Sequence, residues 1–152
     1  MGRIRTETLV WLVHWESGKF VMKDNIAVID DSEIMRDAMV HLLCSAGFGV
    51  ESYASAAEFL AAADISQASC LVVDVELGDM TGIEMVRDLF DGGYSFPVIF
   101  MTGSPDEKFK RDGAALGCAA FLAKPFPAEK MLQAIDQAVA GEPGQQAYRK
   151  CA

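Results

Sequence analysis

The residues able to do chemistry stand just past the ends of four apolar runs. Asp30 and Asp31 follow Ile26-Ala27-Val28-Ile29, Asp74 follows Cys70-Leu71-Val72-Val73, Thr102 follows Pro97-Val98-Ile99-Phe100-Met101, and Lys124 lies just beyond Ala119 to Leu122. If each run is a buried parallel strand, these segments bring three carboxylates, a hydroxyl and an ammonium to one sheet edge, where ligand sites of open α/β sheets gather. Carboxylates crowded together raise one another's pKa. A hard divalent cation with oxygen ligands relieves that repulsion, and Mg2+ suits one or two carboxylates plus phosphate oxygens. A phosphoryl group could then be neutralised on three sides, by Lys124, Thr102 and the metal. Asp74 would be the nucleophile, forming an acyl phosphate. Taken singly, Asp30-Asp31 reads as a helix cap and Thr102-Gly103 as a turn. It is the joint placement, in this order, that points to chemistry.

The elements that must hold these residues alternate regularly. The strands are expected at 26–29, 48–53, 70–73, 97–101 and 119–122. Ser32 caps a first helix with Met35, Met39, Leu42 and Leu43 inward, stopped by Gly47. Ser55 caps an alanine-rich second helix, and Thr81 starts a third with Met85, Val86, Leu89 and Phe90 on its apolar side. A polar fourth helix runs over 106–116, where Gly113 lowers helix propensity by about 1 kcal/mol relative to alanine. The last helix covers 127–140. Strict alternation of apolar strands and helices implies an α/β fold: a doubly wound, five-stranded parallel sheet with helices on both faces, flavodoxin-like (βα)5.

The bulk numbers agree with a folded domain. The chain has 152 residues, 51% of them hydrophobic, with a formal charge of -9. That charge disfavours direct contact with nucleic acid. No run reaches the ~18 apolar residues of a membrane span, so no membrane partner is expected and the protein reads as cytoplasmic. The four cysteines, Cys44, Cys70, Cys118 and Cys151, form no C-x-x-C pair, and thiols rather than disulfides are expected. His41, lacking a partner at metal-ligand spacing, reads as a surface residue, and Met35 and Met39 as core rather than groove.

Residues 25–140 form the expected domain. Residues 1–24 read as an N-terminal extension, loosely packed or, over 1–21, an over-long gene reading with Met22 a natural start. Residues 141–152 read as a polar tail, too short for a further folded domain. The reading is therefore a stand-alone module whose output is a protein contact.

The span from Asn25 to Ala140 resembles the response-regulator receiver domain of bacterial two-component signalling. The matching motifs are Val28-Ile29-Asp30-Asp31-Ser32, Leu71-Val72-Val73-Asp74, Pro97-Val98-Ile99-Phe100-Met101-Thr102-Gly103 and Ala120-Phe121-Leu122-Ala123-Lys124-Pro125-Phe126, with Gly82 eight residues after Asp74. The resemblance implies that Asp74 accepts the phosphoryl group. It implies Mg2+ bound directly by Asp31, mainly through water by Asp30, and by the backbone carbonyl of Glu76. Thr102 and Phe121 would be a switch pair beside Lys124, and Glu76 and Ser104 would tune dephosphorylation. A cis Lys124-Pro125 bond is implied as well. The implied partners are a sensor histidine kinase or histidine phosphotransfer protein and an unidentified downstream protein. Self-phosphorylation and self-dephosphorylation would be its only chemistry, rather than turnover as an enzyme. A phosphoryl shuttle or sink is the alternative, and a haloacid-dehalogenase-type phosphatase a more distant one, since that family places its nucleophile at the first strand. One departure is Gly78, where the family usually has proline. It suggests a less rigid loop after Asp74.

Overall fold

The computed structural model describes residues 24–62, 65–104 and 106–141, and an antiparallel pairing of Trp15–Glu16 with Lys19–Phe20. The rest of the expected extension, and the tail beyond 141, lie outside the described residues.

Each apolar run has become a strand. They are β1 (Asn25–Ile29), β2 (Gly49–Tyr53), β3 (Cys70–Asp74), β4 (Val98–Thr102) and β5 (Ala120–Ala123). The helices are α1 (Glu33–Ser45), α2 (Ala56–Leu60), α3 (Gly82–Asp91), α4 (Glu107–Ala115) and α5 (Ala128–Ala140). The strands form one parallel sheet in the order β2-β1-β3-β4-β5. Strand order reverses between β1 and β3, which leaves a crevice at their carboxyl ends.

Side-chain alternation divides the core in two. Ile26, Val28, Cys70, Val72, Ile99 and Met101 pack under α1 and α5, against Met39, Leu43, Met131 and Ile135. Ala27, Ile29, Leu71, Val73, Val98 and Phe100 face the other way, toward Phe59, Ile83, Met85, Val86 and Leu89. The three central strands are buried on both faces, which explains their unbroken apolar text. The outer strands β2 and β5 are only partly covered.

Local signals set the helix starts. The hydroxyls of Ser32, Ser55 and Thr81 accept backbone N–H bonds from Met35, Glu58 and Glu84, and Thr81 with Glu84 completes a capping box. Three strands begin one residue later than the sequence suggests, since Phe48, Pro97 and Ala119 lie before the pairing. Cys44, Cys70 and Cys118 take part in no disulfide, and burial pushes the Cys70 thiol up to about 12, which keeps it unreactive. His41 is exposed, as its sequence context suggests.

Candidate functional site

Asp30 leaves β1 at the crevice, held by its own backbone: its N–H donates to the Tyr53 carbonyl at 3.1 Å and its carbonyl accepts from Arg36 Nη1 at 2.8 Å. The side chain is fully buried, with Oδ1 accepting from the Ser32 N–H (2.9 Å) and Oδ2 from Lys124 Nζ (3.0 Å). Asp31, the next residue, is exposed. Asp74 ends β3 and is 5% exposed. Its Oδ1 accepts from the Glu76 N–H at 3.2 Å and its Oδ2 from Lys124 Nζ at 3.3 Å. One ammonium thus bridges two buried carboxylates.

Oxygens of Asp30, Asp31 and Asp74 lie within 4.8 Å of one another. Burial first, then the charge of Asp30, pushes the Asp74 carboxyl up to about 6 against the pull of Lys124 and the Glu76 N–H. Burial works to lower Lys124, but the hydrogen bond to Asp30 and the charges of both aspartates outweigh it and hold the ammonium above its usual range. Three carboxylates against a single ammonium leave the crevice short of positive charge. The donor set is all oxygen, and Mg2+ fits it. Asp30 has both oxygens taken by Ser32 and Lys124, whereas Asp31 is open to solvent.

Other sequence-marked residues stand around this centre. Thr102 ends β4, next to β3; its Oγ1 accepts from the Ser104 N–H at 3.0 Å and lies 3.2 Å from the Ser104 carbonyl, so the hydroxyl faces its own loop. Phe121 lies apart from the carboxylates, half-buried on β5 against Phe100, ring centroids 6.0 Å apart. Glu76 is an exposed side chain on the loop after β3. The Lys124-Pro125 bond is cis. Gly78 has φ 90, a left-handed conformation closed to proline, so glycine is required here by the path of the loop itself. Gly82 is needed for close approach: a Cβ there would strike the Asp74 carbonyl oxygen and lie 2.6 Å from Val73 Cγ1.

Sequence reasoning missed two features. Asp79 Oδ2 accepts from the Ala57 N–H at 3.1 Å, tying the loop after Asp74 to the start of α2. Met39 is core, as expected, but with Met35, Ala38 and Leu42 it also lines a groove of about 590 Å³ that runs on to Lys124, Pro125 and Phe126. The spacing of these residues marks an apolar helix stripe, but nothing in it tells a covered stripe from an open one.

A family model described as the response regulator receiver domain matches residues 26–136. The chain belongs to that family. The receiver is 37% identical over 117 residues to the transcriptional regulatory protein FixJ of Bradyrhizobium diazoefficiens, covering 77% of this chain and 57% of that protein. It is 33% identical to the response regulator protein TodT of Pseudomonas putida over 79% of this chain and 53% of TodT. Among solved structures, the crystal structure of FixJ-N superposes with a TM-score of 0.73 at 31% identity, over 80% of this chain and 98% of that one. The chain spans about half the length of the curated relatives it matches. Among the described residues, no helix is long and apolar enough to cross a membrane.

Proposed function

We propose that this receiver accepts a phosphoryl group on Asp74 from a histidine kinase or histidine phosphotransfer protein and signals by a change in protein contacts. The observation that carries the reading is the Lys124 ammonium spanning Asp30 Oδ2 and Asp74 Oδ2 inside a cluster of three carboxylates. An Asp74 oxygen attacks the phosphorus of a phosphohistidine: the P–O bond forms and the P–N bond breaks. The electron pair leaves on the imidazole, which takes up a proton. Lys124 pairs with a phosphoryl oxygen as it arrives, and the Thr102 hydroxyl turns from Ser104 to donate to another. Asp31, Asp74 and the Glu76 carbonyl would hold Mg2+ directly and Asp30 through water; when bound it offsets the charge of the phosphoryl oxygens. The apolar groove beside Lys124 suits an apolar face of the donor protein.

Phosphate-affinity electrophoresis after incubation with a small phosphoramidate tests this. A retarded band should form only with a divalent cation and be absent in Asp74→Asn. Undiminished labelling of the variant would exclude Asp74 as acceptor.

A further inference from the structure

We propose that Gly113 is the seat of the Phe121 ring, and that the missing side chain at 113 sets how the ring responds to Thr102. The proposal rests on the reading of Thr102 and Phe121 as a switch pair. Phe100 pairs with Phe121 and Thr102 with Ala123 in the β4–β5 register. Strand alternation puts Phe100 and Thr102 on one face, and Phe121 on that face diagonal to Thr102. Helix α4 crosses this patch, and Gly113 is its buried residue.

A Cβ at 113 would lie 3.0 Å from Phe121 Cδ2, 3.2 Å from Phe121 Cε2 and 3.2 Å from Phe100 Cδ2. Carbon atoms settle at ~3.5–4.0 Å, so something must yield to a methyl group. Phe100 is wholly buried and has nowhere to go, whereas Phe121 is half-buried on an edge strand and can swing outward. Glycine weakens a helix relative to alanine, and α4 is a short, polar helix that carries that weakness in its last turn. What the glycine provides is room. The helix backbone approaches β4 and β5 so closely that an added Cβ would crowd both rings, and without one Phe121 keeps room to move on the face it shares with Thr102 when the Thr102 hydroxyl turns toward Asp74. A methyl group at 113 closes the seat and holds the ring out whether or not Asp74 carries a phosphoryl group. Gly113 is thus a positioning residue for the output and plays no part in phosphoryl uptake.

The test joins stability with a ring-specific signal. Gly113→Ala should lower Tm by a few degrees in the wild-type background although alanine is the better helix former, and should raise Tm in a Phe121→Ala background, where Phe121 is no longer struck and the space its ring leaves lets the neighbouring Phe100 ring give way. Ring signals of labelled Phe121 should shift when beryllofluoride and magnesium are added to the wild type. In Gly113→Ala they should be displaced beforehand and move by at most about half as much, while labelling of Asp74 stays within about twofold of wild type. A higher Tm in both backgrounds, or a wild-type ring response in Gly113→Ala, would overturn the proposal. If Gly113→Ala folds only together with Phe121→Ala, the seat is upheld; failure to fold in both backgrounds rejects it. Absence of Asp74 labelling in the wild type would instead strike the phosphoacceptor reading, while the sign of the Tm changes still reports on the seat.

Discussion

A carboxyl that holds its proton up to about 6 carries a stability signature, and Asp74 has one. Between the ordinary carboxylate range and that value, the folded metal-free protein keeps a proton on Asp74 that the unfolded chain has released. The folded state binds more protons, so stability falls as pH rises through that window. The Asp74 contribution is fully present below the ordinary carboxylate pKa and lost once pH passes about 6. The shift corresponds to at most about 3 kcal/mol, and on the order of 1–2 once water at the open edge is allowed for. Without metal, Asp74→Asn should therefore melt progressively higher than wild type as pH rises from about 4 to about 7. Saturating magnesium should narrow the gap. A gap that stays constant over this range in thermal melts would contradict the burial of an ionising Asp74. Glu76 offers a second residue-level expectation. Its backbone N–H donates to Asp74 and its side chain is exposed, so under the proposed dephosphorylation-tuning role the side chain is open to act on a hydrolytic water. Glu76→Ala should lengthen the acyl phosphate lifetime ~10-fold with magnesium affinity unchanged. Ser104→Ala is the companion variant, and wild-type decay in both would remove side chains from control of hydrolysis.

At the scale of elements, the loop after β3 is the part that must keep its shape. It is closed by the pairing of Glu76 with Thr81, by the Gly82 N–H donating to the Val75 carbonyl at 2.8 Å, and by the link from Asp79 to Ala57. The Ala57 N–H holds the Asp79 carboxyl below its usual range. Asp79→Ala should speed hydrogen exchange at Ala57 and across residues 78–81 while leaving the sheet amides protected. Unchanged exchange there would show that the link contributes nothing. Gly82→Ala puts a methyl group into the Asp74 carbonyl and Val73 and should cost about 1–3 kcal/mol in denaturant melts, with slower labelling of Asp74. Neither constraint can be seen fully in the sequence. Gly82 is marked by its distance from Asp74, but its reason is a contact across the β3–α3 turn. The reach from Asp79 to Ala57 joins residues 22 apart through one surface hydrogen bond, which leaves no periodic trace. Gly113 likewise reads in the sequence as a weakness in α4 and proves to be a point of close packing.

For the whole molecule, the parallel sheet was legible because its three central strands are buried on both faces and so are written as apolar runs. The candidate site was legible for the same reason: Asp30, Asp74, Thr102 and Lys124 stand where those runs or the next strand stop, on the edge where the strand order reverses between β1 and β3. What could not be read is what depends on which surface stays open, such as the groove along Met35 and Leu42, or on packing between helix and sheet, such as Phe121 on Gly113. The order of the strands gathers three carboxylates and Lys124 in one crevice, and the proposed function stands or falls on one bond there, from Asp74 to phosphorus. After brief incubation with a phosphoramidate and magnesium, borohydride reduction converts an aspartyl phosphate to homoserine at the residue that carried it. Peptide mass spectrometry should then find homoserine at position 74 and only with divalent cation present. Homoserine at Asp30 or Asp31, or unmodified Asp74 in protein that demonstrably carries phosphate, would contradict the assignment of Asp74 as phosphoacceptor.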